Sequence, residues 1–239
     1  MFVRLARFAA PAVLALSIGT PHAALAKPQA VPAVKCPFQT MTGTEAVTAP
    51  RSVSADVPAA LAGHVSYYTV GVVGVFAPRG WHCIGHGGSE GVTLIVVPGA
   101  VPSGDLDREI GVEAKLAEGQ TSGRFVVFEK GGPLFPQLRV LAPSWQKDDP
   151  LLQGVPTAPI RGESVTHVSK TISRFCDPPK LHGVGDGSGG AYQTCGIATT
   201  LGAIPPSVGS GALPDLRLIS ITTPDRATLS ALVSLNASR

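Results

Sequence analysis

Charge is scarce in this chain and nearly balanced: 19 Lys and Arg stand against 16 Asp and Glu, and charged residues make up 15% of the whole. No basic cluster emerges, and the few aromatics (5%) are scattered. Nucleic-acid binding needs a concentrated cationic face, so that class is set aside. Beyond residue 26 no apolar run approaches the ~20 residues that a membrane-spanning helix requires. There is no Cys-x-x-Cys, which argues against a thioredoxin-like redox role, and no internal repeat.

What is present begins with an export signal. Arg4 and Arg7 precede an apolar core from Phe8 to Ile18, and Ala24-Leu25-Ala26 supplies small residues before Lys27. That is the pattern of a secretory signal peptide over 1–26, cleaved after Ala26. Cys36 follows Ala-Val-Lys rather than a small-residue lipobox, so release to the periplasm or the exterior is expected rather than lipid anchoring. Residues 27–58 are rich in Pro, Ala and Thr and are expected to form an extended arm pinned at Cys36. Residues 59–239 are then one domain, long enough to bury a good core.

The stretch Val70–Pro98 (VGVVGVFAPRGWHCIGHGGSEGVTLIVVP) dominates that domain. Val70–Phe76 and Val92–Val97 are short β-branched runs that favour strands. Pro78-Arg79-Gly80 is a reversal, because Pro presets φ and Gly tolerates positive φ. Trp81–Ile84 would return as a short strand, and Gly85–Gly91 would turn again, giving an antiparallel meander. The segment Ala77–Cys83 (A-P-R-G-W-x-C), with Phe175–Pro179 (F-x-D-P-P) and a later Gly-rich loop, resembles a group of exported bacterial proteins. The resemblance implies an envelope location and no particular chemistry.

Further on, Asp105–Glu118 predicts a helix with Ile110, Ala114 and Ala117 on one face, with a strand through Ile110, Val112 and Ala114 as the alternative. Arg124–Glu129 predicts a strand, and Gln137–Pro159, with four Pro, mostly loop. Glu163–Cys176 fits helix and strand equally and stops at Asp177-Pro178-Pro179. Tyr192–Leu201 and Asp215–Thr222 predict strands. Thr223-Pro224 opens a helix to about Ala237, with Thr223 as cap and Leu229, Leu232, Val233 and Leu235 as its apolar stripe. The sum is a β-rich α+β fold, a mainly antiparallel sheet with a C-terminal helix packed on it.

Four cysteines in an exported chain allow three pairings. Cys176 and Cys195 flank one loop, and Cys36 with Cys83 would tie the arm to the meander; these are the expected bridges. His82-Cys83-x-x-His86 gathers three possible zinc ligands, but no fourth stands at a usual spacing and the compartment favours disulfides. No metal and no cofactor is expected.

Three strings come close to catalytic motifs. Gly185-Asp186-Gly187-Ser188-Gly189-Gly190 resembles the G-D-S-G-G loop of trypsin-like serine proteases with one Gly inserted. His82-Cys83 resembles that family's His-Cys pair, and Asp105 or Asp107 lies between in the right order. The resemblance implies Ser188 as nucleophile, His82 as base and Asp107 as orienting acid. Against it, the insertion falls where the oxyanion hole forms, and Arg79-Gly80-Trp81 replaces the family's T-A-A. Gly87-Gly88-Ser89-Glu90-Gly91 is a formal G-x-S-x-G, yet the expected strand after it contradicts the strand-turn-helix elbow. Gly185-x-Gly187-x-x-Gly190 matches the dinucleotide fingerprint as a string, but a strand rather than a helix follows. His64 and His167 lack partners at useful spacing, and His182 is the alternative partner for Ser188.

The reading that results is a non-enzymatic exported binding or structural protein. It would meet a ligand or envelope partner through Arg79, Trp81, His82 and His86 and through Gly183–Gly190, although Trp81 also suits a core anchor. The alternative is a divergent serine hydrolase using Ser188 and His82.

Overall fold

A computed structural model describes residues 28–100, 109–207 and 209–238. The expected signal peptide, Asp105 and Asp107 lie outside the described residues. The strands before the helices are β1 (Gln29–Lys35), β2 (Phe38–Thr40), β3 (Gly43–Glu45), β4 (Ser52–Ala55), β5 (Val65–Thr69), β6 (Gly74–Pro78), β7 (His82–Gly88), β8 (Gly91–Val97) and β9 (Gly111–Ala117). Helices α1 (Arg124–Leu134) and α2 (Pro136–Asp148) follow, then β10 (Ser164–His167), β11 (Ile172–Asp177), β12 (Thr194–Leu201), β13 (Asp215–Thr222) and α3 (Arg226–Ala237).

The strands form two sheets, β4-β1-β5-β6 and β10-β11-β12-β13-β9-β8-β7-β2-β3. All pairings are antiparallel except β1 with β5 and β2 with β7. The β-rich α+β class and the helix packed on the sheet therefore hold. One face of the large sheet packs against the small sheet and α3 through Val96, Val112, Ala114, Ile197, Ile219 and Ile221. The other face packs against α1 and α2 through Phe175, Ala198, Leu216 and Leu218. Alternation along β13 explains this: with helices on one side and a sheet on the other, both of its faces are apolar.

Several expectations are corrected. Residues expected as an extended arm supply four strands, and β1 is an interior strand of the small sheet. Residues 70–98 are not one meander: β6 pairs with β5, whereas β7 pairs with β8 in the other sheet. The chain changes sheets at Arg79–Trp81, where the buried Tyr68 hydroxyl donates to Pro78 O at 2.8 Å and accepts the Trp81 N–H at 3.0 Å. The segment 111–117 is strand β9, because it lies between β8 and β13 and both of its backbone edges are paired. Arg124–Glu129 is helical, its β-prone Val and Phe overridden by burial of Val127, Gly131 and Leu134 on one helical face. Residues 136–148 are also helical, with Pro136 in the first turn where its missing N–H costs nothing. The ambiguous 163–176 segment is the β10–β11 hairpin. Helix α3 is capped by Asp225, whose carboxylate accepts the Ala227 and Thr228 N–H groups, and not by Thr223.

Both expected disulfides form. Cys36–Cys83 joins the end of β1 to β7, and so one sheet to the other, while Cys176–Cys195 links directly opposed residues of β11 and β12. On the free edge of β6, Asn236 of α3 accepts the Phe76 N–H at 2.9 Å and donates to Phe76 O at 3.0 Å. Among the described residues no helix is long and apolar enough to cross a membrane.

Candidate functional site

The loop joining β11 to β12 is folded by its own backbone. Lys180 N–H donates to Gly190 O at 2.8 Å and closes the base, and Ser188 N–H donates to Gly185 O at 3.1 Å. Gly187 and Gly189 take positive φ values of 88° and 94°, which L side chains rarely adopt. The Ser188 hydroxyl accepts the Gly183 N–H at 2.9 Å, so it serves as an internal brace of the loop.

Asp186 fastens this loop to the α1 side of the large sheet. Its N–H donates to Ser220 Oγ of β13 at 3.2 Å. Its carboxylate meets Lys115 of β9 at 3.2 Å and Lys130 of α1 at 3.3 Å. Burial pushes the Asp186 carboxyl up, but the two ammonium groups outweigh it and hold it below the usual carboxylate range. Burial likewise works against the charge on Lys130, and Asp186 and Glu129 overcome it, leaving the ammonium pKa raised.

A second acid holds the loop from behind. Asp177, the last residue of β11, is fully buried and accepts the Gly185 N–H at 2.7 Å through Oδ2. Gly183 and Gly185 press against its carboxyl so closely that a Cβ on either would collide with it. The Glu163 carboxyl lies within hydrogen-bonding reach and is itself anchored by the Ile160 N–H at 3.0 Å through Oε2. Burial pushes Asp177 up, the Gly185 N–H pulls it back, and Glu163 pushes it up again, to about 7.

In front of the loop is a cleft of about 560 Å³. It is lined by the acidic residues Glu109, Glu129, Glu163 and Asp186, by Lys130 and His182, and by the loop Gly183–Gly190. Lys130 is already engaged by Glu129 at 3.4 Å and by Asp186, so acid outweighs base at the wall. Such a cleft favours a polar ligand carrying positive charge.

The residues singled out from sequence divide between this cleft and elsewhere. Ser188 and His182 line it. His82 is exposed on β7, two strands beyond β9, or about 10 Å across the ladder at ordinary strand spacing. Among the described residues no hydrogen bond joins Ser188 to His82 or His182. Arg79 is exposed at the crossing between sheets, and Trp81 is half-buried against the core, as its anchoring role requires. His86 borders a separate shallow depression of about 330 Å³ with Met41, Glu90 and Lys115. Cys83 is committed to a disulfide and is no thiolate ligand for a metal. Among the described residues no group of three or more His, Cys, Asp or Glu could hold one. Ser89 is exposed in the β7–β8 hairpin turn, and β12, not a helix, follows Gly190, so neither the elbow nor the dinucleotide context exists.

Asp177, Glu163, Glu129 and Lys130 were not singled out from the sequence. Asp177 had a signal: alternation from Ser173 through Phe175 puts it on the buried face, and an acid there demands a partner. Glu163 had none, since its partner comes from another strand. Comparison with family models, with curated proteins and with solved structures finds no match to this chain.

Proposed function

We propose that this chain is an exported bacterial envelope or secreted protein that binds a small, amine-bearing polar molecule in the cleft framed by Gly183–Gly190. The observation that carries the reading is the excess of carboxyl groups on the cleft wall around a backbone-braced loop. Two disulfides, the signal-type N-terminus and the A-P-R-G-W-x-C resemblance support export. Of the two loops expected to meet a partner, this reading rests on Gly183–Gly190 rather than on Arg79–His86. The serine-hydrolase alternative draws no support from an observed contact of Ser188, whose hydroxyl is engaged by Gly183.

The binding test is thermal unfolding of the secreted chain with short diamines and basic amino acids, set against dicarboxylates of matched size. A ligand that binds only the folded state raises Tm as its concentration passes Kd. The amines should raise Tm, less so at high salt and less so in a Glu109→Gln/Glu129→Gln variant. Equal shifts from the dicarboxylates, or no shift from any amine, would sink the proposal. Sequencing of the secreted chain should find Lys27 first.

A further inference from the structure

Two buried oxygens at the back of the loop have no hydrogen-bond donor among the described residues: Asp177 Oδ1 and Glu163 Oε1. Each belongs to a carboxyl whose other oxygen is fixed by a backbone N–H, Gly185 for Asp177 and Ile160 for Glu163. Neither carboxyl can therefore rotate away without losing that bond. Two buried acceptors at hydrogen-bonding reach repel when both are ionised, and bind when one carries a proton. A single proton on Asp177, donated to Glu163, satisfies both oxygens at once.

We infer that the proton shared by Asp177 and Glu163 is a latch that holds the Gly183–Gly190 loop against the sheet, and that its loss releases the loop. The surroundings leave this proton uncompensated. The segment before β10 contributes Glu163, whose carboxyl acts on Asp177 both by its charge and as a hydrogen-bond partner. The opposed residue of β12 is the neutral Thr194. Asp186, on the same loop, is occupied by Lys115 and Lys130, His182 lies against Gly189, and Lys180 and Arg161 are exposed. Among the described residues, therefore, these elements bring no cation to the carboxyl to replace the proton. A value of about 7 for Asp177 puts the release near neutral pH. Because Gly183 and Gly185 contact Asp177 directly, the cleft wall made by the same loop moves with the latch. The latch does not depend on which ligand the cleft takes.

Two measurements on the full folded chain test this. Infrared spectra at pH 6, where exposed carboxyls are ionised, should show the carbonyl stretch of a protonated acid that is absent from Asp177→Asn and gone by pH 8.5. Amide exchange of a peptide spanning 180–193, corrected for the intrinsic pH dependence, should lose at least about tenfold protection between pH 6 and pH 8.5. In Asp177→Asn and Glu163→Gln, where an amide N–H replaces the proton permanently, protection should stay flat across that range. A peptide from α3 serves as the internal control. A pH-independent wild-type loop, or amide variants with the wild-type loss, would overturn the latch. Protection at pH 8.5 that returns with millimolar calcium and falls with a chelator would also overturn it, in favour of a cation between the two carboxylates.

Discussion

Asn236 uses its entire side-chain amide. Oδ1 accepts the Phe76 N–H, and Nδ2 donates to both Phe76 O and Leu232 O. Replacing it with Ala strands buried backbone groups, each of which costs about 1–3 kcal/mol unpaired. Asn236→Ala should therefore lower the urea unfolding free energy by about 2–4 kcal/mol, and Asn236→Asp, which keeps the acceptor and loses the donor, should fall in the same range. Asn236-Ala237-Ser238 also matches a glycosylation sequon as a string, but Asn236 is buried in this packing role. At the other end of α3, Asp225 accepts two amides in the open, and Asp225→Ala should destabilise less than Asn236→Ala, read from the same urea curves. Gly185→Ala would bring a Cβ within 2.6 Å of Thr194 Cγ2. Overpacking there should destabilise by about 1–3 kcal/mol, read from the same urea curves.

The two disulfides close loops of different length, 47 and 19 residues apart. In the chain-entropy picture, replacing Cys36 and Cys83 by Ala should cost about 4 kcal/mol and replacing Cys176 and Cys195 about 3. A reversed ranking in denaturant melts would show that the large sheet, not the chain entropy, sets the cost. Both bridges were legible in the sequence because spacing around one loop and one arm left a preferred pairing. Strands β12 and β13 were legible too, since Asp215–Thr222 alternates along its length. The helices α1 and α2 were not. Val127, Gly131 and Leu134 carry a helical period, and so do Leu138, Leu141, Ala142 and Trp145. Glycine counts as a turn former in a local reading, yet Gly131 faces Leu138 where a Cβ would not fit. Pro136 and Pro143 likewise read as breakers, although one sits in the first turn and both are exposed. The cleft was half legible: the Gly loop announced itself, whereas Glu163, Glu129 and Lys130 reach it only through tertiary packing.

Stability of the folded chain against pH follows from two acids shifted in opposite directions. Asp177 is raised from 3.8 to about 7, so the folded state holds a proton that the unfolded state has released. Its contribution is full at about pH 4 and declines as pH rises to about 7. Asp186 is lowered, and its contribution is present above about pH 4 and declines as pH falls below it. Together they place their joint maximum on the acid side of neutrality, and urea midpoints measured from pH 3 to pH 9 should peak there in the wild type. In Asp177→Asn the decline between pH 4 and pH 7 should disappear. The Asn236–Phe76 contact, spanning 160 residues of chain, also sets an order of assembly. A ribosome that has released β5 and β6 has yet to make the residue that sheathes the β6 edge, and among the described elements must still supply the seven strands and three α-helices that follow β6. For that interval the edge is an open template for another nascent chain, so a holdase that shields exposed strands should matter more for this protein than one that accelerates folding.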